Sequence, residues 1–312
     1  QEQALRGSDH YFAAFLYDTR NAADRKHLMV PVIFGIVFQI FLHRCMRQSF
    51  TGFMGSGDDV DDNYKEIARL MVDLMPCVAL TGAGISAESG IPTFRSKGGL
   101  WEKYDPYVYA SIDTFREDPS KYWTIRGEFN RSYDTYQPNK AHLALAELEK
   151  MGIVHLVITQ NIDGLHQLAG NTDVIEFHGT FAWQRCMDCG RRCETGRVDL
   201  TKIPPRCPCG GIYRPDCVFF GEMIPPQHLA RSQQLVDGCD VLLVVGTSAT
   251  VQPAAMMPLL AKETGARVMG FVPGARALPF GEVGDPPCDG LVVVRCADGD
   301  QGHQGPAGLR GR

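Results

Sequence analysis

The sequence predicts an α/β protein in which a Rossmann-like, mostly parallel sheet carries a small inserted zinc-binding module. Three observations support this fold class. Short apolar runs alternate with segments of helical spacing, polar residues follow directly after the apolar runs, and two close pairs of cysteines interrupt the alternation. Because open parallel sheets bind ligands at the carboxyl ends of their strands, we expect a ligand site where these polar residues gather.

Five apolar runs predict the strands of the sheet, at 77–80, 154–159, 174–177, 241–245 and 266–272. Apolar residues at helical spacing predict helices over 64–75 and 138–151, and a further helix is expected to begin within 85–89. The residues that directly follow the first four strands include Gly82, Gln160, His178 and Gly246. We therefore expect these four positions to lie at one edge of the sheet.

Length and composition limit the classes of protein that the chain can be. Its 312 residues allow one large domain or two smaller ones, each with ample core. The net charge of −5 and the pI near 6.0 show no overall excess of basic residues, so no nucleic-acid partner is predicted. Several of the eleven cysteines stand in close pairs, which in a chain of this length indicates metal binding and a reducing, cytoplasmic location.

Three parts of the chain differ in composition. Residues 1–60 are predicted to be an extension or linker, 61–275 the main domain with its zinc module at about 180–222, and 276–312 a divergent, disordered tail rich in Gly and Pro. Residues 28–42 form an apolar run that is shorter than the roughly 20 residues of a membrane-spanning helix and contains Pro31. A membrane anchor is therefore the weaker alternative to a packed or poorly ordered extension.

A glycine-rich turn follows the first predicted strand. Gly82, Gly84 and Ala87 have the spacing at which small residues let backbone N–H groups approach a pyrophosphate. The same pattern also occurs in ordinary tight turns, so on its own it favours a dinucleotide site only weakly.

The paired cysteines predict a closed metal site. Cys186 and Cys189 are followed by Cys207 and Cys209, a separation at which two knuckles form a tetrahedral zinc site. Four thiolates leave no open coordination position, so this zinc would be structural. Two alternatives stay open at this point: the cysteines are free and buried, or Cys193 replaces one member of the unusual Cys-x-Cys pair.

Longer motifs surround these features. They read TGAGISAESGIPTFR at 81–95, TQNIDGLH at 159–166, FHG at 177–179, RPDCVFFGE at 214–222 and GTS at 246–248, with the cysteine module between the third and fourth. In their order and spacing they resemble the prokaryotic-type sirtuins, the Sir2 family of NAD-dependent protein deacylases. The resemblance covers 64–269, about two-thirds of the chain, and it implies that 61–275 is a catalytic domain.

The resemblance also implies roles for individual residues. His178, Asn161 and Asp163 would be catalytic, with His178 as the base. The substrate polypeptide would pair with a segment that includes Val218, Phe219, Gly221 and Glu222. NAD would be bound by Gly82, Ala83, Gly84, Ser86, Phe94, Arg95, Gln160, Asn161, Ile162, Asp163, Gly246, Thr247 and Ser248.

The implied reaction consumes NAD and removes an acyl group from a protein lysine. The acyl oxygen attacks C1′ of the nicotinamide ribose, nicotinamide leaves, and His178 deprotonates a ribose hydroxyl that attacks the resulting imidate. Hydrolysis then gives free lysine and O-acyl-ADP-ribose, so the enzyme is a transferase whose partner is an acyl-lysine protein. An imidazole with a pKa near 6.5 accepts a proton at physiological pH. A lone histidine at a strand end is more often structural, but the flanking motifs favour the base.

Two positions depart from the family pattern. After Trp123 the chain lacks the Tyr-x-x-Arg pair of succinyl-lysine and malonyl-lysine deacylases and has Arg126-Gly-Glu-Phe instead, which favours acetyl-lysine. Val272 stands where the family usually has an Asn that contacts the adenosine ribose. The alternatives to a deacetylase are a mono-ADP-ribosyltransferase and a weakly active module that binds acyl-lysine or NAD.

Overall fold

The structure is a computed structural model, and it describes residues 33, 67–92, 100–133, 135–273 and 291–296. Within these residues nine strands form two sheets. The strands are β1 Cys77–Thr81, β2 Val154–Thr159, β3 Val174–Glu176, β4 Gly179–Cys186, β5 Arg192–Glu194, β6 Tyr213–Cys217, β7 Val241–Val245, β8 Arg267–Pro273 and β9 Leu291–Cys296.

Helices connect the strands. They are α1, described over 67–73, α2 Leu100–Lys103, α3 Pro106–Tyr109, α4 Ile112–Glu117, α5 Pro119–Tyr133, α6 Lys140–Lys150, α7 Leu165–Ala169, α8 Pro226–Asp237 and α9 Met257–Glu263. In the described part of the chain, three 3₁₀ helices lie at Ala83–Ser89, Thr195–Arg197 and Ala254–Met256. The start of α6 is fixed by a capping box, in which the Asn139 side chain accepts from the backbone N–H of His142 and the His142 ring accepts from that of Asn139.

The larger sheet is parallel and has the order β3-β2-β1-β7-β8-β9. The chain leaves β1 toward β2 on one side and later returns to β7 on the other, so the direction of winding changes at β1. Thr81, the last residue of β1, pairs with Thr159 of β2 and Val245 of β7. The three strands therefore end level with one another, at the switch point where open α/β sheets bind ligands.

Both faces of this sheet are covered. Along β1, Cys77 and Ala79 belong to one core cluster with residues of α1 and α6, while Val78 and Leu80 belong to a second with residues of α8 and α9. Burial on both faces explains why the strands are continuous apolar runs rather than alternating ones. The predicted fold class is thereby confirmed for the larger sheet.

The smaller sheet is antiparallel, has the order β5-β4-β6, and is inserted between β3 and α8. Its strands lie within 179–217, close to the predicted zinc module, and the predicted cysteines lie in this region. The large sheet and this insertion together match the predicted architecture.

Two elements differ from the expectation. Residues 83–89 form a 3₁₀ helix rather than the start of an α-helix, and Gly90, with φ of 90°, ends it after seven residues. The predicted disordered tail 276–312 contains β9, whose Leu-Val-Val-Val run adds to the open edge of β8. Apolar, β-branched residues suit such a position, and the Gly and Pro content around them hid this signal.

The apolar run at 28–42 lies outside the described residues except for Ile33, which is fully buried in the first core cluster. Among the described residues, no helix is long and apolar enough to cross a membrane.

The core predicts a contrast between two leucines. Leu156 in β2 is fully buried, whereas Leu168 in α7 is 66% exposed. We expect Leu156→Ala to lower the free energy of unfolding by about 2–5 kcal/mol, because it removes buried methyl groups and leaves a cavity. Leu168→Ala should change it by less than about 0.5 kcal/mol. Urea denaturation measures both, and equal effects would contradict the assignment of the core.

Candidate active site and metal centre

Two glycine turns pack backbone against backbone at the switch point. The N–H of Gly84 donates to the carbonyl of Gly246 at 2.7 Å, and the N–H of Gly82 donates to Val245 at 3.0 Å. A Cβ on Gly84 would lie 2.7 Å from the Gly246 oxygen, and one on Gly82 would lie 2.7 Å from Cβ of Thr247. No side chain fits between the turns, so the peptide groups of both lie close together at the end of the sheet.

His178 lies at the end of β3 with a fixed ring orientation. Its Nδ1 is 3.0 Å from the carbonyl oxygen of Gln160. Because a carbonyl only accepts, Nδ1 carries the proton and Nε2 is left as a proton acceptor. Burial lowers the pKa of His178 below its usual value, against the opposing effect of the Gln160 hydrogen bond. The imidazole is therefore neutral at physiological pH, the state that a general base needs.

Gln160 also joins two strand ends. Its side-chain amide donates to Oγ1 of Thr247 at 2.9 Å, which links the residue after β2 to the turn after β7. The position of His178 is thus tied, through Gln160, to the glycine turns.

Ser86 is the centre of a polar cluster next to these turns. Its hydroxyl donates to Oδ2 of Asp163 at 2.7 Å and accepts from the amide of Asn161 at 3.1 Å. The same amide donates to the carbonyl of Gly82 at 3.1 Å. Burial raises the pKa of Asp163 above its usual range, while hydrogen bonds from Leu165 and Ser86 oppose that rise. The hydrogen bonds hold Asn161 and Asp163 in one arrangement beside the first turn.

Two buried histidines lie beneath this cluster, His142 and His166, and the sequence motifs gave no role for either. His142 accepts from the N–H of Asn139 through Nδ1, so its Nε2 carries the proton and faces the Ser86 hydroxyl at 3.4 Å. Nε2 of His166 is 2.9 Å from Oγ1 of Thr81, and the two imidazole rings are 4.9 Å apart. A polar residue on the apolar face of the predicted helix at 138–151 was the signal that could have identified His142.

The predicted substrate segment lies beside His178. The N–H of Val218 donates to the His178 carbonyl at 2.8 Å. On its other side, Phe220 exchanges backbone hydrogen bonds with Ala110 and Ile112, at 2.9 and 3.0 Å. The segment 218–222 therefore lies between the end of β3 and the α3–α4 connection.

Comparison with known proteins identifies the family. The Sir2 family model matches residues 82–253. NAD-dependent protein deacylase 2 of Pyrobaculum aerophilum is 47% identical over 204 residues, which cover 65% of this chain and 82% of the relative. NAD-dependent protein deacetylase of Sulfurisphaera tokodaii is 42% identical over 234 residues, 74% of this chain and 89% of the relative. The chain belongs to the Sir2 family.

A solved structure described as a Sir2–p53 peptide–NAD+ complex is 34% identical, with a TM-score of 0.65 over 74% of this chain and 91% of that one. Another, described as the structural basis for the mechanism and regulation of Sir2 enzymes, is 42% identical with a TM-score of 0.65, and covers 70% of this chain and 88% of that one. The resemblance drawn from the motifs is confirmed.

Most residues that the sequence assigned to this Sir2 site come together in the structure. Ile162 packs against the cluster that contains Phe219, and Ser248 is exposed, with its hydroxyl 3.0 Å from that of Thr250. Phe94 and Arg95 lie outside the described residues. The roles of all these residues in binding and catalysis stay predictions.

The four predicted cysteines of the Sir2 chain converge. The ligand atoms of Cys186, Cys189, Cys207 and Cys209 all lie within 4.8 Å of one another. The sulfurs of Cys186 and Cys209 are 3.5 Å apart, and those of Cys189 and Cys207 are 3.8 Å apart. Thiolates 2.3 Å from a tetrahedral zinc are roughly 3.8 Å apart, so the cluster fits this metal. Cys193 packs beside the cluster and is not one of its four members.

The cluster predicts a difference between two cysteine variants. Cys209→Ala should lose bound zinc and unfold the small sheet, because a structural zinc contributes its binding free energy to folding. Cys193→Ala is the matched control and should keep one zinc per chain. Metal analysis and thermal denaturation measure both. Zinc retained in Cys209→Ala but lost in Cys193→Ala would mean that the ligand set is wrong.

The histidine pair predicts a dependence of stability on pH. Burial is the largest cause that lowers the pKa of His142 to about 3 and of His166 to about 4, from an unfolded value of 6.5. Below pH 6.5 the unfolded chain therefore binds more protons than the folded one, and stability is lost as the pH falls. Each histidine should contribute a loss of about 1 kcal/mol between pH 6.5 and 5.5.

Urea denaturation at pH 6.5 and 5.5 measures this loss in the wild type, in His142→Gln and in His155→Gln, whose side chain is exposed on β2. His142→Gln should reduce the pH dependence, and His155→Gln should leave it as in the wild type. A wild-type stability that does not change over this range would refute the burial of neutral imidazoles.

Proposed function

We propose that the protein removes acetyl groups from lysine side chains of other proteins, using NAD as a co-substrate and forming nicotinamide and O-acetyl-ADP-ribose. The observation that carries the proposal is the geometry of His178, a neutral imidazole with a bare Nε2 at the same sheet edge as the two glycine turns. The relatives named as NAD-dependent deacetylases and deacylases support the same activity.

In this proposal the turns at 82–84 and 246–248 hold the diphosphate of NAD. Their peptide groups approach closely because no Cβ stands between them, and the Thr247 hydroxyl is fixed by Gln160. The N–H groups of Gly82 and Gly84 already donate to Val245 and Gly246, so the remaining N–H groups of the turns would donate to the anion. NAD supplies the bond between nicotinamide and ribose, whose cleavage drives the reaction.

Asn161 and Asp163 are proposed to orient the nicotinamide end. The amide of Asn161 is held by the Gly82 carbonyl and by Ser86, and the Asp163 carboxylate is held by Ser86. Side chains that are fixed in advance lose little entropy when they bind a carboxamide or a ribose hydroxyl. Ser86 thus acts through its neighbours in this proposal.

His178 is proposed to be the general base. Its Nε2 accepts the proton of a ribose hydroxyl while Nδ1 stays bonded to Gln160. Because burial lowers the pKa of His178, the base form predominates at physiological pH, and activity should fall only under acidic conditions.

The acyl-lysine polypeptide is proposed to bind along Val218, Phe219, Gly221 and Glu222, as an added strand. The bond from Val218 to the His178 carbonyl supports this location, because it places the segment beside the base.

The chain lacks the Tyr-x-x-Arg pair, which supports a neutral acyl group. Arg126, at the first position of that pattern, lies over the ring of Phe181, with its guanidinium carbon 3.8 Å from the ring centre. We also propose a cytoplasmic location, because the thiols of the cysteine cluster need a reducing compartment.

The test is the release of nicotinamide from NAD on addition of an acetyl-lysine peptide. We expect turnover of this peptide to exceed that of the matching succinyl-lysine peptide, because a buried carboxylate would lose its hydration without a paired cation.

His178→Ala should lower deacetylation by about 10²–10⁴-fold, as for the loss of a general base. Exchange of labelled nicotinamide into NAD should persist in this variant, because nicotinamide leaves before the base acts.

His155→Ala serves as the matched control, since this histidine is exposed on β2, and its activity should equal that of the wild type. Near-normal deacetylation by folded His178→Ala would contradict the assigned base. Peptide-independent transfer of ADP-ribose to a protein would favour the mono-ADP-ribosyltransferase instead, and binding of NAD and peptide without turnover would favour the binding module.

A further inference from the structure

We propose that Arg214 and Glu222 form a positioning pair that holds the segment 217–221 in the shape needed to receive the acyl-lysine polypeptide. The inference rests on the proposed function. It assigns both side chains an effect on peptide affinity that they exert through the backbone of this segment rather than by contact with the substrate.

The two side chains form a double hydrogen-bonded ion pair. Nη1 of Arg214 is 2.5 Å from Oε1 of Glu222, and Nη2 is 2.6 Å from Oε2. The side chain of Arg214 is 9% exposed and that of Glu222 is 25% exposed. Parallel, charge-assisted bonds of this kind fix the orientation of both groups, which a single contact does not do.

The pair also binds the backbone of the segment at two points, its first residue and its middle. Nη2 of Arg214 donates to the carbonyl of Cys217 at 2.6 Å. Oε2 of Glu222 accepts from the N–H of Phe219 at 2.8 Å, and the guanidinium carbon lies 4.3 Å from the centre of the Phe219 ring. One ion pair therefore determines the path of the chain from the end of β6 to the turn before Glu222.

The location of the segment explains why its path matters. Val218 donates to the carbonyl of His178, so a shift of the segment moves the substrate edge relative to the proposed base. The two carboxylate oxygens of Glu222 are already bonded to Arg214 and to the Phe219 N–H. The Glu222 carboxylate therefore bonds to its own chain, which suits a positioning role better than direct recognition of the peptide.

Stability alone is a weak explanation for this pair. Desolvation of two charges offsets much of their attraction, and apolar replacements of buried pairs are often neutral or stabilising. Loss of one partner, in contrast, leaves the other charge buried and releases the backbone groups that it holds. The expected consequence is a misplaced segment rather than only a less stable fold.

The experiment uses Glu222→Gln and Arg214→Lys in the full chain. Peptide KM and kcat are measured with an acetyl-lysine peptide at saturating NAD, and NAD affinity is measured by calorimetry without peptide. We expect peptide KM to rise about tenfold, equivalent to about 1.4 kcal/mol, with kcat within about threefold of the wild type and NAD affinity unchanged. Glu222→Gln keeps the volume of the side chain but removes its charge and one of the two parallel bonds from Arg214, so it tests the pair even where Arg214→Lys does not fold.

The matched control is Asp216→Asn. Asp216 lies on the same strand and pairs with Arg185 and Arg192, but none of its side-chain bonds reaches the segment. Its peptide KM should stay within about twofold of the wild type. An unchanged peptide KM in Glu222→Gln, or an equal rise in Asp216→Asn, would overturn the inference while the wild type remains active. A wild type that releases no nicotinamide with the peptide would overturn the proposed function itself.

Discussion

The approach of the turns after β1 and β7 is the contact on which the rest of the site depends. Gly84 donates to Gly246 at 2.7 Å, and a Cβ on Gly246 would lie only 2.2 Å from the Ile85 nitrogen. Gly246 also has φ of +66°, a region that favours glycine. Any side chain here would push the turns apart and would carry with it Gln160, which is bonded to Thr247 in the second turn.

Burial of ionisable side chains is the second physical feature of the site. Desolvation is the largest cause of the pKa shift at each of His142, His166, His178 and Asp163. It disfavours the charged form in every case, so the histidines are neutral, and hydrogen bonds fix the tautomers of His142 and His178. A buried network of this kind is specific because each unpaired group would be costly. The stability of the fold and the protonation of the proposed base thus have a common origin.

Much of this arrangement could be predicted from the sequence, and the exceptions have physical causes. The strands at 154–159 and 241–245 agree with the prediction residue for residue, because these short apolar runs are nearly all buried and are followed directly by a polar residue or Gly. β9 was missed because one short apolar run between Gly-rich segments carries no periodicity. The pairing of Arg214 with Glu222 was also missed, since a contact that forms only when the chain turns back on itself leaves no local pattern.

The location of His178 links the two sheets. It stands between Glu176, the last residue of β3 in the large sheet, and Gly179, the first of β4 in the small one. Gly179 has φ of +77°, and a Cβ there would lie 2.3 Å from the carbonyl oxygen of Asp216 in β6. The chain can therefore cross from one sheet to the other only with a glycine at this point. Since β6 also begins the segment held by Arg214 and Glu222, the proposed base and the proposed peptide edge are fixed to the same strand, and the small sheet with its cysteine cluster becomes part of the frame of the active site.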